Sequence, residues 1–124
     1  NTGKNIWCKI TIMVITKTEP FIKEEIEKLN EEFGFYIKTV IDIENKKCIA
    51  GMNMHYDGEK MLLENGSSQL NLWGGGIDVE TKKIDFNSFI NIRPNQNNDS
   101  NEIQDAKIRE DFNNLMKYFF KEIV

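Results

Sequence analysis

The chain has 124 residues, 40% hydrophobic and 29% charged, with a formal net charge of −4 at neutral pH. A chain of this length fits one domain, expected to cover residues 1–124, and buries roughly two-thirds of its unfolded surface. No apolar run approaches the roughly 20 residues a membrane span requires, and the opening Asn1-Thr2-Gly3-Lys4 lacks the apolar core of a signal peptide, so a soluble, cytoplasmic protein is expected.

An acidic balance without a Lys/Arg cluster argues against a nucleic-acid partner, because phosphate affinity comes from clustered cations. The paired lysines Lys46-Lys47 and Lys82-Lys83 read as solvated hairpin tips. Two cysteines, Cys8 and Cys48, make no secreted disulfide framework, and Cys48 falls on the apolar side of a strand as a buried free thiol. With one histidine and no cysteine cluster, neither a structural metal nor a cofactor is expected. The triplets Asn65-Gly66-Ser67 and Asn98-Asp99-Ser100 match a glycosylation pattern that has no meaning without secretion.

The β-branched run from Trp7 to Lys17 predicts a strand. Met13 could serve as a native start, which would make residues 1–12 an extension ahead of the core domain. Ile22, Ile26, Leu29 and Phe33 recur at the spacing of one helical face. Pro20 suits the first turn of that helix, and Gly34 suits its C-terminal cap. A hairpin follows. A turn at Asn45-Lys46 sets Ile43 against Cys48, Ile41 against Ala50, Thr39 against Met52 and Ile37 against Met54, all on one face. Lys38, Asp42, Asn53 and His55 then share the less apolar face.

Asp57 is expected to cap a short helix running to Glu64, and Asn65-Gly66 to end it. A second hairpin is predicted from about Gln69 to Ile92, with its turn near Thr81-Lys82. It would pair Val79 with Ile84, Ile77 with Phe86 and Trp73 with Ile90, and would set Asp78 unfavourably opposite Asp85. Pro94 ends this strand, and a polar, mobile loop is expected over Asn95–Asn101. The last helix starts around Ser100–Asp105 and carries Ile108, Phe112, Leu115, Met116, Phe119 and Ile123 on one face. The order is β-α-β-β-α-β-β-α, an α+β fold with a mostly antiparallel sheet from two hairpins and helices packed on one face. No sequence repeat is evident.

Most of the candidate chemistry lies between Met52 and Pro94. His55 is the one side chain suited to proton transfer near neutral pH, with Asp42, Asp57 and Glu59 as neighbouring carboxylates. A helix cap accounts fully for Asp57. Glu64 sits unfavourably at a helix C-terminus and calls for a partner such as Arg93. Arg93 could instead fork onto an anionic ligand. Gly74-Gly75-Gly76 lacks the loop-to-helix context of a phosphate cradle, and a bulge or close backbone packing explains it better. Trp73 reads as core, or as the floor of a shallow pocket.

The segments Leu62-Leu63-Glu64-Asn65-Gly66-Ser67, Leu72-Trp73-Gly74 and Ile90-Asn91-Ile92-Arg93-Pro94 resemble an uncharacterised family of small prokaryotic proteins, a domain of unknown function. The likeness runs from about Met13 to the final helix. Gly75-Gly76 and the loop at Asn98-Asp99-Ser100 depart from the family pattern. The resemblance implies no activity, substrate or cofactor.

Two readings of function follow. The first is a binding module for a protein or small polar ligand, using His55, Trp73, Asn91 and Arg93. The second is a small hydrolase or nuclease, metal-assisted or not, with catalytic candidates His55, Glu64 and Arg93. It requires His55 to lie within one water-bridged hydrogen bond of a carboxylate. A homodimer with a purely structural role is a third.

Overall fold

The computed structural model describes residues 14–124. The elements in chain order are β1 (Ile15–Lys17), α1 (Lys23–Phe33), β2 (Tyr36–Asp42), β3 (Lys47–Ala50), α2 (His55–Glu64), β4 (Leu72–Asp78), β5 (Lys83–Asp85) and α3 (Ala106–Phe119). This is the expected α+β order. Of the strand expected over Trp7–Lys17, the described residues show Ile15–Lys17; Cys8 and Met13 lie outside them. The strands form one antiparallel sheet in the order β1-β3-β2-β4-β5.

Alternation along the strands divides the side chains between two faces. Ile37, Ile41, Cys48, Ala50, Trp73 and Ile77 join Phe21, Ile26, Leu29, Phe112, Met116 and Phe119 in the larger core under α1 and α3. Thr39 faces the same way, its hydroxyl 3.3 Å from the Met116 sulfur. Phe21 stacks on Phe120 at 4.9 Å between ring centroids. Each such fully buried ring is worth about 1.5–3 kcal/mol relative to exposure. On the opposite face Val40, Ile49, Met52, Leu62 and Leu72 form a second, smaller core. The helices therefore do not all pack on one face. α1 and α3 lie on the expected side, whereas α2 covers the face that holds Val40 and Ile49.

α1 is entered at Ile22, with Pro20 ahead of the first turn rather than within it. The Glu25 carboxylate accepts from the Ile22 N–H at 3.0 Å, and Gly34 ends the helix at φ 79°. α3 begins as its sequence demands, with the Asp105 side chain accepting from the Ile108 N–H at 2.9 Å. α2 departs from expectation at its start. Its cap is Met54, and Asp57 sits inside the first turn, where a negative charge favours the helix dipole. Gly66, at φ 102°, terminates it, and the Ser67 N–H donates back to the Leu62 carbonyl at 3.0 Å.

Both hairpins pair two residues away from the expected register. β2 and β3 set Ile41 against Cys48 and Thr39 against Ala50; β4 and β5 set Ile77 against Ile84 and Gly76 against Asp85. The physical cause is the same in each. Asp42 accepts from the Asn45 N–H at 2.9 Å, and Asp78 accepts from the Thr81 N–H at 3.0 Å. Lys46 (φ 55°) and Lys82 (φ 65°) then adopt the left-handed conformation. Each loop thus holds four residues instead of two. Against the expectation of no repeat, the segments Asp42-Ile43-Glu44-Asn45-Lys46-Lys47 and Asp78-Val79-Glu80-Thr81-Lys82-Lys83 form a short one, which the shared loop conformation makes recognisable. The register also removes the expected clash of Asp78 with Asp85, since Asp78 pairs with Lys83.

The Gly74-Gly75-Gly76 run stays in unbroken register with β2, without a bulge. A Cβ on Gly75 would lie 2.3 Å from the Asp85 carbonyl oxygen and 2.7 Å from the Phe112 ring. On Gly74 it would meet Ser88 at 2.6 Å, and on Gly76 the Tyr36 hydroxyl at 2.4 Å. Close packing on both faces is the reason for all three glycines.

Candidate functional site

β5 pairs only with the last three residues of β4. The rest of that edge is closed by side chains from the segment after β5, which forms 3-10 turns at Phe89–Asn91 and Pro94–Gln96 instead of the expected strand. The Asn91 amide reproduces what a neighbouring backbone would supply. Its Oδ1 accepts from the Gly74 N–H at 2.8 Å, and its Nδ2 donates to the Gly74 carbonyl at 3.0 Å. The same nitrogen reaches the Phe86 and Asn101 carbonyls at 3.1 and 3.0 Å. Arg93 continues the closure. Its Nη1 donates to the Gln69 carbonyl and its Nη2 to the Leu72 carbonyl, with Cζ 3.9 Å from the centroid of the Trp73 ring.

Asn91, Arg93 and Trp73 are all buried. Trp73 is core, with the Arg93 guanidinium over it rather than a ligand. The expected Glu64–Arg93 pair is absent: Glu64 is exposed at the end of α2, while the carboxylate whose field reaches Arg93 is Glu59. Burial pulls the Arg93 guanidinium below its ordinary pKa, and Glu59 opposes that shift.

Asp42 is equally committed. Fully buried, it accepts from the Asn45 N–H and side-chain amide, both at 2.9 Å, and from the Ser67 hydroxyl at 2.6 Å. Burial pushes its carboxyl up, but the hydrogen bonds from Asn45, Ser67 and the Glu44 backbone outweigh it and hold the group below the usual carboxylate range.

His55 opens α2 and aims its Nε2 at the Gly75 carbonyl, 2.7 Å away. Because a carbonyl only accepts, Nε2 carries the proton and Nδ1 the lone pair of the neutral ring. Burial lowers its pKa; the Gly75 hydrogen bond acts upward, Lys38 downward and Asp85 upward. Among the described residues no carboxylate bonds to the imidazole, and no three His, Cys, Asp or Glu side chains gather where they could hold a metal ion. Of the other groups the hydrolase reading names, Asp42 holds a turn, Glu64 faces solvent and Arg93 holds a strand edge.

Beside His55 lies a recess of about 180 Å³ lined by Lys38, Met54, His55, Tyr56, Ser88, Phe89 and Ile90. Its rim is unusually apolar for a surface. Phe89 is 83% exposed, Met54 61% and Tyr56 60%. Lys38 is the one charged side chain in the lining, with its Nζ donating to the Asn53 carbonyl at 2.6 Å. Larger hollows of about 310 and 330 Å³ lie beside Ile43 and Asp111 and beside Thr16 and Asn65, but Lys, Asn and Thr tips frame them.

The burial of two residues was not foreseen in the sequence: Glu59, named there only as a carboxylate near His55, and Asn98. Glu59 is buried on the α2 stripe that His55 begins, four residues on, and that spacing was the available signal. Asn98, expected in a mobile loop, is also buried. Its Nδ2 donates to the carbonyls of Asn91, Ser100 and Glu102 at 2.8–2.9 Å, and its Oδ1 accepts from the Gln104 N–H at 2.8 Å. Nothing in a polar loop sequence marks one asparagine of several as its centre.

A three-layer α+β domain with a side-chain-sealed sheet edge is the class these observations define. Residues 13–119 match the family of proteins of unknown function DUF5674, and the chain belongs to that family. Neither a curated protein nor a solved structure matches it. Among the described residues, no helix is long and apolar enough to cross a membrane.

Proposed function

We propose that this chain is an interaction module that receives one apolar side chain of a partner protein in the recess beside His55. The observation that carries this reading is the exposed rim of Met54, Tyr56 and Phe89 around that recess. Exposed aromatic and methionine side chains are the residue types enriched in interface cores. Size favours a single side chain over a whole small molecule, since a volume of about 180 Å³ falls below the roughly 300–1,000 Å³ of typical ligand pockets. Charge favours an acidic residue next to the anchor, because Lys38 flanks the recess and no carboxylate lines it. His55, with its Nδ1 lone pair, would take a backbone N–H of the incoming segment. Asn91 and Arg93 serve this function indirectly, as the frame that holds Phe89 and Ile90 in place.

The test is a titration of the protein with N-acetyl-phenylalaninamide at millimolar concentration, read by amide chemical shifts, with N-acetyl-glycinamide as control. Shifts confined to residues 54–56 and 88–90, lost in Phe89→Ser and Tyr56→Ser and absent with the glycine compound, are expected. Equal response to both compounds, or shifts centred on another face, would refute the proposal.

A further inference from the structure

The recess beside His55 has a neighbour across Lys38. A hollow of about 190 Å³ is lined by Phe33, Tyr36, Lys38, Met52 and Asn53, and Lys38 is the residue it shares with the recess. The sheet order places β2, which carries Lys38, between β3 and β4. Met52 and Asn53, which follow β3, therefore flank Lys38 on one side. His55 and Ser88, which pack over Gly74 of β4, flank it on the other. Consecutive residues carry one wall from hollow to recess, Met52-Asn53 in the first and Met54-His55-Tyr56 in the second. The two adjoin as one groove at the start of α2, partitioned by a lysine.

That lysine is held in position without its charge being met. Its Nζ donates to the Asn53 carbonyl at 2.6 Å, one bond of the three an ammonium can give. Among the described residues no carboxylate lies within 4.0 Å of it. Asp85 is engaged elsewhere, accepting from the Tyr36 hydroxyl and from the Asn87 N–H, the latter at 3.1 Å. The Tyr36 bond also fixes the ring that walls the hollow. We propose that the groove takes an extended acidic segment of a partner protein, with apolar side chains at positions i and i+4 in the two cavities and an aspartate or glutamate at i+2 paired with Lys38. This rests on the reading above that the recess receives an apolar anchor. Cavities of about 180 and 190 Å³ are each about 7 Å across as spheres, and a lysine stem between them adds about 4 Å, so their centres are about 11 Å apart. Side chains at i, i+2 and i+4 of an extended chain point the same way and span about 13 Å when flat, less when twisted. An unmet ammonium midway along that span selects an acidic residue and rejects a basic one.

The probe is the peptide acetyl-Phe-Gly-Asp-Gly-Phe-amide, whose pattern reads the same in both directions, titrated into the protein and followed by amide chemical shifts. Shifts are expected at residues 33–36 and 52–53 in addition to 54–56 and 88–90. Binding should be at least about tenfold tighter than for acetyl-Phe-Gly-Asp-Gly-Gly-amide, which lacks the second anchor. Replacing the peptide's aspartate by asparagine should weaken binding by about threefold at low salt, and Lys38→Met should abolish that difference. Equal affinity for the one-anchor and two-anchor peptides, with shifts confined to 54–56 and 88–90, would overturn the second anchor and leave the single-anchor reading standing. Equal affinity for the aspartate and asparagine peptides would overturn the pairing with Lys38. A protein that responds to neither N-acetyl-phenylalaninamide nor the peptides overturns both readings together.

Discussion

Removing the Asn91 side chain would leave the Gly74 N–H and C=O unpartnered on the edge of β4, whereas the carbonyls of Phe86 and Asn101 would keep the Ile103 and Ser88 N–H groups as donors. Each buried group left unsatisfied costs about 1–3 kcal/mol. Asn91→Ala is therefore expected to lose at least about 2–4 kcal/mol in urea unfolding, and Asn91→Asp, which keeps the acceptor and loses the donor, a comparable amount. A loss under about 1 kcal/mol would mean that the edge has another source of partners. That Asn91 and Arg93 matter was legible in the sequence, but their role was not. Their partners are backbone atoms some twenty residues away, chosen by how an irregular segment crosses β4. Asn98 shows the same limit: its amide, expected in a mobile polar loop, is buried and fully engaged.

The division of apolar side chains into inward and outward sets was legible because strand alternation has period two. A register error of two residues moves no side chain to the other face. The register itself was hidden by the loops. Asn45-Lys46 reads as a two-residue turn, yet the Asp42 side chain bonds to the Asn45 N–H and lengthens it. α2 was legible as a helix, whereas its side of the sheet was not, since Val40 and Ile49 alone do not announce a second core. Among the described residues that core is small, five buried residues against fourteen on the α1 and α3 side. Less buried apolar surface holds α2, so it should open at a lower free energy than the sheet. Native-state hydrogen exchange is expected to show amides within residues 59–64 exchanging through a sub-global opening, while those of Val40, Ile41 and Phe112 exchange only on global unfolding. Identical free energies for the two sets would show instead that α2 and the sheet unfold as one unit.

Across the whole molecule, acid should act in two separable stages. His55 is held neutral by burial, its pKa below the unfolded value of about 6.5. Below that pH the unfolded chain takes up a proton that the folded chain resists. Stability is thus complete above pH ~6.5 and declines as pH falls toward the folded pKa, by at most about 1.4 kcal/mol per pH unit. The depressed Asp42 carboxyl contributes stability that is complete above its unfolded pKa of about 3.9 and is lost below it. Urea unfolding at intervals from pH 7.5 to 3 should show both stages, with His55→Gln flattening only the upper one. An unchanged slope between pH 6.5 and 5 in that variant would assign the upper stage to other groups.

The sealed margin of β4 bears on how the protein behaves at high concentration. Unpaired strand borders recruit strands from other molecules and are common starting points for aggregation. Here the border is closed by amide and guanidinium groups from outside the sheet, which occupy the backbone yet cannot themselves be extended by another strand. An incoming chain finds no free ladder at Leu72 or Gly74. The asparagine and arginine of that segment thus act as a chemical stop on sheet growth along β4.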